Sequence, residues 1–254
     1  QRIDQIKMNM ERWRWLPQSL GSRYVLVNIP AYWLYVYEPN EVIGLEKKVM
    51  VGKTYHKTPV FNDLMQYIEF NPYWTVPYSI ASREILPKLK RNPGYLAAKD
   101  MRLFQGSKSV NPYNVDWSSV YRSNFKYKIR QNPGPKNALG TMKFMFPNLY
   151  NVYVHDTPSK SLFVESQRAY SHGCVRLEKP IEFAEYLLKD NKNYTLNKIE
   201  KVLDKGKNKR VNLEEALPIY ILYFTVWADE EGNPRFMHDI YGKDAEVLQM
   251  LGGM

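Results

Sequence analysis

The 254-residue chain has one cysteine, Cys174, four histidines and no low-complexity tract or internal repeat. A single cysteine excludes an internal disulfide framework. With neither Cys-x-x-Cys nor His-Glu-x-x-His present, a zinc site is not expected. The longest apolar stretch, 217–228, begins Leu-Pro and falls short of the roughly 20 residues that cross a bilayer, so no membrane-spanning helix is expected. What is present is ordinary globular composition: 44% hydrophobic and 24% charged residues, which excludes disorder and collagen-like repetition for the body of the chain. The charge balance is not ordinary. Thirty-six basic residues face 26 acidic ones, a net +10, and such a surface favours polyanionic partners: nucleic acid, anionic lipid or a carboxylate-bearing polymer such as a bacterial cell wall. The basic residues are scattered apart from 205–210, a run read as a solvated loop. The chain opens at Gln1 rather than an initiator methionine, so a targeting segment or membrane anchor would lie outside it.

Periodicity organises the chain. Ile3, Ile6, Met10 and Trp13 recur at helical spacing and predict a short amphipathic helix. The period then changes to two: 24–29, 31–37, 47–51 and 64–70 are rich in Val, Leu and Tyr and are bounded by Pro, Asn and Gly, as strands are. From 71 to 130 several Pro and Asn-Pro breaks leave short pieces and one helix near 82–90; so long an excursion reads as an inserted lid subdomain. Strands are expected again over 126–131, 141–146, 151–155 and 161–165. Pro180 suits the first turn of a helix and Thr195 the cap of another. A strand over 218–228, a turn over 229–234 and a return strand over 235–238 close the chain. The class is mainly β, a sandwich or barrel.

Chemistry concentrates at 153–158 and 169–177. In Ser171-His172-Gly173-Cys174 a thiol follows a histidine with a glycine between, the equipment of a cysteine nucleophile: imidazole nearby and a backbone amide without side-chain obstruction. Taken alone, a single cysteine is more often a small buried hydrophobe. His155 ends a predicted strand and can lie beside the end of the next, although a hydrogen-bonded strand-end histidine is the plainer alternative. His56 and His238 have no partner pattern.

Fifteen residues separate His155 from Ser171-His172-Gly173-Cys174, and this resembles the signature of bacterial L,D-transpeptidases with the YkuD-type catalytic domain. Val175-Arg176 stands where the family usually has a hydrophobic residue and Asn. The segment 133–140 is similar to the stretch before the family's active-site strand, and Asn71-Pro72-Tyr73-Trp74-Thr75-Val76-Pro77 resembles the start of the capping subdomain in the large YcbB-like branch.

The resemblance implies an antiparallel β-sandwich with peripheral helices, one catalytic domain over 1–254 and a lid over 71–130. It implies 3→3 cross-linking of peptidoglycan stem peptides without a cofactor, in the periplasm, with sensitivity to carbapenems. Cys174 would be the nucleophile and His155 the base, oriented by the Asp156 backbone carbonyl or its carboxylate. The amides of Gly173 and Cys174 with Tyr153 would form the oxyanion hole, and His172, counted with the catalytic residues, would shape the loop or support the thiolate, with base duty as its lesser alternative. Tyr153, Asp156, Ser171, Arg176 and Trp74 are the substrate-side candidates; a salt bridge to Glu178 or Glu182 is the alternative for Arg176, and hydrophobic anchoring for Trp74. An L,D-carboxypeptidase and an inactive wall-binding module are the competing functions. Nucleic-acid binding is not expected, because no recognition motif accompanies the charge.

Overall fold

The period-two segments form strands in the computed structural model, which describes residues 1–229 and 231–252. They are β1 (Tyr24–Asn28), β2 (Trp33–Glu38), β3 (Val42–Gly52), β4 (Phe61–Phe70), β5 (Trp74–Thr75), β6 (Met101–Gln105), β7 (Lys108–Val110) and β8 (Lys128–Gln131). The second half adds β9 (Met142–Met145), β10 (Val154–His155), β11 (Ala169–Ser171), β12 (Val175–Leu177), β13 (Lys209–Leu222), β14 (Val226–Ala228) and β15 (Pro234–Phe236).

The main sheet runs β11-β3-β12-β10-β9-β4-β13-β1-β2, and a further β2–β3 pairing closes it on itself. The 11-residue β3 serves both ends: its first half pairs with β2 and its last residues with β12 and β11. Pairing is antiparallel except at β1–β13, β10–β12 and β3–β11, so the mainly antiparallel expectation holds. The alternation has a direct consequence on β1. Val25 and Val27 enter the main core while Tyr24 and Leu26 enter a smaller cluster on the other face, and the strand is buried on both sides. The main core also takes Phe144, Val154 and Val175 from the sheet and Phe183 and Ile199 from the helices Pro180–Leu187 and Leu196–Asp204. Each such side chain contributes about 1.5–3 kcal/mol on burial.

The insertion leaves at Phe70 and returns at Met142, which are cross-strand partners, so it adds a subdomain without breaking the sheet. It has its own sheet, β5-β8-β6-β7, and its own core around Leu89, Leu96, Leu103 and Ile129. The strand expected over 126–131 therefore belongs to the insertion as β8, and the subdomain runs past residue 130. The helix near 82–90 extends from Tyr78 to Arg91 through a π-turn at Ala81–Ile85.

Three other expectations change. Segment 161–165 forms a 3-10 turn, Lys160–Val164, in which only Phe163 is buried; one anchored side chain does not make a sheet face. β10 shrinks to two residues because Asn151 turns the chain with φ +54°. Thr195 occupies the N-cap position but its side chain makes no capping bond. The run 205–210 is exposed throughout, as expected, though Lys209 and Arg210 already belong to β13. Glu230 in the turn expected over 229–234 lies outside the described residues. Among the described residues no helix is long and apolar enough to cross a membrane.

Candidate active site

Val154 and Val175 are partners in the parallel β10–β12 pair and both are buried in the core. Successive strand residues point to opposite faces, so Tyr153, His155, Cys174 and Arg176 share the outward face. The pairings Glu69↔Lys143, Lys143↔His155 and His155↔Arg176 extend this into a row of polar and charged side chains across four strands. The row forms one wall of a cleft of about 1030 Å³, and the insertion supplies the other, including Trp74, Glu84 and Arg130.

His155 is 5% exposed, and its Nδ1 lies 2.5 Å from the Asp156 carbonyl oxygen. A carbonyl only accepts, so Nδ1 carries the proton and Nε2 keeps a lone pair. Burial, then the Arg176 guanidinium, hold the imidazole's pKa down to about 3, so it is neutral at physiological pH. Of the two orienting groups considered for Asp156, the backbone carbonyl is the one used. Its carboxylate is turned away and saturated: Thr141 N–H and hydroxyl donate at 2.8 and 2.9 Å, Thr157 N–H at 2.7 Å, and Lys160 forms an ion pair. The expectation that Asp156 contacts substrate is thereby corrected, since its side chain is buried and fully engaged.

The Cys174 loop is braced from within. Ser171 Oγ donates to the Cys174 carbonyl at 2.5 Å and accepts from Gly173 N–H at 3.1 Å. Ser171 is only 1% exposed, so it is a loop brace rather than the expected substrate contact. The same bond removes the Gly173 amide from the candidate oxyanion hole, leaving the Cys174 amide and the Tyr153 phenol. Gly173 is needed for a different reason: its φ is +114°, where side chains are strained. Its carbonyl accepts from Thr58 Oγ1 at 2.8 Å.

The thiol donates to the Asn151 carbonyl at 3.8 Å, an oxygen presented by the left-handed turn at Asn151. Burial pushes the Cys174 thiol up, while the Tyr153 N–H and phenol, Lys143 and Arg176 pull it back. Burial also raises the Tyr153 phenol well above its usual range, so it remains a donor. The resting pair is thus a neutral thiol and a neutral imidazole.

Among the described residues His172 makes no hydrogen bond to the thiol, which corrects the expectation that it supports the thiolate. Its Nε2 meets Glu84 of the insertion at 2.8 Å, and its ring packs on His56. Arg176 lines the cleft without a carboxylate partner among the described residues, and Glu182 pairs instead with Lys47 and Lys179. Trp74 lines the cleft, half-buried. Sequence reasoning passed over Lys143, Glu69, Glu84, Asn151 and Arg130. For Lys143 a signal existed, a lone charge in the apolar run Met142-Lys143-Phe144-Met145; for the others it depended on unknown pairing.

A family model described as the L,D-transpeptidase catalytic domain (YkuD) matches residues 22–221. A protein of Haemophilus influenzae named "Putative L,D-transpeptidase" is 34% identical over 243 residues, covering 95% of this chain and 48% of that protein; the chain spans about half the length of this relative. Among solved structures, an L,D-transpeptidase from Mycobacterium smegmatis aligns at 17% identity over 79% of this chain and 58% of the other, with a TM-score of 0.37. L,D-transpeptidase 3 from Mycobacterium tuberculosis, in complex with a faropenem-derived adduct, aligns at 13% identity over 79% and 60%, with a TM-score of 0.35.

Proposed function

The chain belongs to the L,D-transpeptidase family, and from that premise we propose that it forms 3→3 cross-links between peptidoglycan stem peptides through a thioester at Cys174. The observation that carries this reading is the placement of Cys174 and His155 on one outward face of the β10–β12 pair, with His155 neutral and its Nδ1–H fixed on the Asp156 carbonyl.

A neutral imidazole with a free Nε2 is the form a general base requires. It removes the thiol proton as Sγ attacks the carbonyl of the third stem residue, and the negative charge gathers on the carbonyl oxygen. The Cys174 amide and the Tyr153 phenol are the donors available to that oxygen, and such donors are worth about 3 kcal/mol each. The bond to the terminal D-Ala then breaks and His155 returns the proton to the departing amine. In the second half, a side-chain amine of another stem attacks the thioester, gives a proton to His155 and releases the thiol. Because burial raises the thiol, proton removal coupled to attack suits this site better than a preformed thiolate. Arg176 is suited to a donor-stem carboxylate, since guanidinium binds carboxylate as a fork. The substrate implies work in the periplasm, and the same thiol is the expected target of carbapenems.

The test is mass spectrometry of products from disaccharide tetrapeptides, with Cys174→Ala alongside. A dimer formed with loss of one alanine, absent in the variant, is the expected result. Tripeptide and free alanine without dimer would make water the acceptor and the protein a carboxypeptidase; retained turnover in Cys174→Ala would refute the cysteine mechanism.

A further inference from the structure

The cleft contains two guanidinium groups without partners. Its carboxylates are engaged: Glu69 lies 3.8 Å from Lys143, and Glu84 bonds His172. Arg176 on β12 and Arg130 on β8 both line the cleft, and among the described residues neither side chain has a hydrogen bond or salt bridge. Arg130 is also the more rigidly held. Its guanidinium lies over the Tyr73 ring at 4.6 Å and the Phe104 ring at 5.0 Å, and its Nε is buried with no partner. Two aromatic faces fix the plane of the cation and supply no acceptor. The terminal nitrogens of that guanidinium are not sealed from solvent and have no acceptor among the described residues, so they are the atoms a carboxylate in the cleft can bind as a fork.

The positions of the two cations divide the work. Arg176 stands two residues from Cys174 on the same strand face, about 7 Å along the chain, so its carboxylate belongs to the stem being cleaved. Arg130 stands on the opposite, insertion wall, on the strand that pairs with Trp74 and Thr75. A cross-linking enzyme carries the donor acyl group on its thiol while the acceptor stem binds, and the wall across from the donor's guanidinium is open to that acceptor. We infer that Arg130 is a second carboxylate receptor, on the lid side of the cleft, which binds the acceptor stem peptide. This rests on the transpeptidase reading above.

The donor side can be blocked covalently, which isolates the acceptor side. The protein is acylated with a carbapenem, the adduct on Cys174 is verified by intact mass, and a stem tripeptide is titrated by calorimetry. Arg130→Gln is expected to weaken binding about 10- to 100-fold, the range for a lost charged hydrogen-bonding partner. Converting the tripeptide carboxylates to amides should cost the acylated wild type a similar factor and cost Arg130→Gln little more. Arg130→Lys should recover part of the affinity, since it restores charge without the fork. Equal affinity of Arg130→Gln and wild type would overturn the site, as would losses from substitution and amidation that simply multiply. Failure of the carbapenem to acylate Cys174 would instead remove the transpeptidase reading and this site with it; acylation followed by Arg130-independent binding removes this site alone.

Discussion

Gly140 tests how His155 is held, although it lies outside the cleft. Its φ is +61°, and a Cβ built there would overlap the Asp156 carboxylate and lie 2.6 Å from the Asp156 Cβ. In Gly140→Ala, left-handed backbone costs about 1–2 kcal/mol, and forcing a methyl into a packed site adds about 1–3 kcal/mol. Relief by moving Asp156 is obstructed, because its carboxylate is held by Thr141, Thr157 and Lys160. A central loss of about 3 kcal/mol lowers the melting temperature by roughly 6–12 °C. The functional loss follows from the chain: Asp156 cannot shift without moving the carbonyl that accepts from His155 Nδ1. Misplacing a catalytic group by about 1 Å costs about 100-fold. The assay is the rate of carbapenem acylation of Cys174 by intact mass, read at a temperature where both proteins are folded. Asp156→Ala is the control, since it loses the carboxylate but keeps the carbonyl, and its acylation rate should fall less than that of Gly140→Ala. A Gly140→Ala protein with wild-type melting and acylation would refute the reasoning.

Two further outcomes depend on charge. His155 has a folded pKa of about 3 against about 6.5 unfolded, so between those values the unfolded chain binds a proton that the folded chain refuses. Its contribution to stability is complete above pH 6.5 and is lost as pH falls toward 3, at about 1.4 kcal/mol per unit. Urea unfolding should show a loss of about 2 kcal/mol from pH 6.5 to 5 that His155→Gln largely abolishes; an equal slope in the variant would contradict the burial argument. Lys143 helps hold the Cys174 thiol down against burial. Lys143→Met should move the midpoint of iodoacetamide alkylation up by about one pH unit, with Lys143→Arg close to wild type; an unmoved midpoint in Lys143→Met would exclude the interaction.

The β-rich architecture was legible because alternation of two is a local property. Tyr24-Val25-Leu26-Val27 states its own two faces, and both faces found partners. The insertion was legible from its Pro and Asn-Pro breaks, but its end was not. The 126–131 segment has strand character whichever sheet it joins, and only its pairing with β6 and β5 assigns it to the lid. The strand expected over 161–165 failed for the complementary reason, since propensity without a paired neighbour yields a turn.

At the site, the sequence by itself determined the chemical inventory: one thiol, a histidine ahead of it, and a glycine between that thiol and the neighbouring histidine. Those are facts of residue type and spacing, and they identify the family without coordinates. Tertiary structure decided which atoms are free to act. Spacing cannot reveal that the Gly173 amide is taken by Ser171, that His172 faces Glu84, or that the Asp156 carbonyl rather than its carboxylate orients His155. Nor could it bring Lys143 into line with His155 or set Arg130 across the cleft from Arg176. Each of these depends on strand register and on hydrogen-bond partners distant in the chain, and both are settled only when the sheet closes and its polar groups find acceptors away from water.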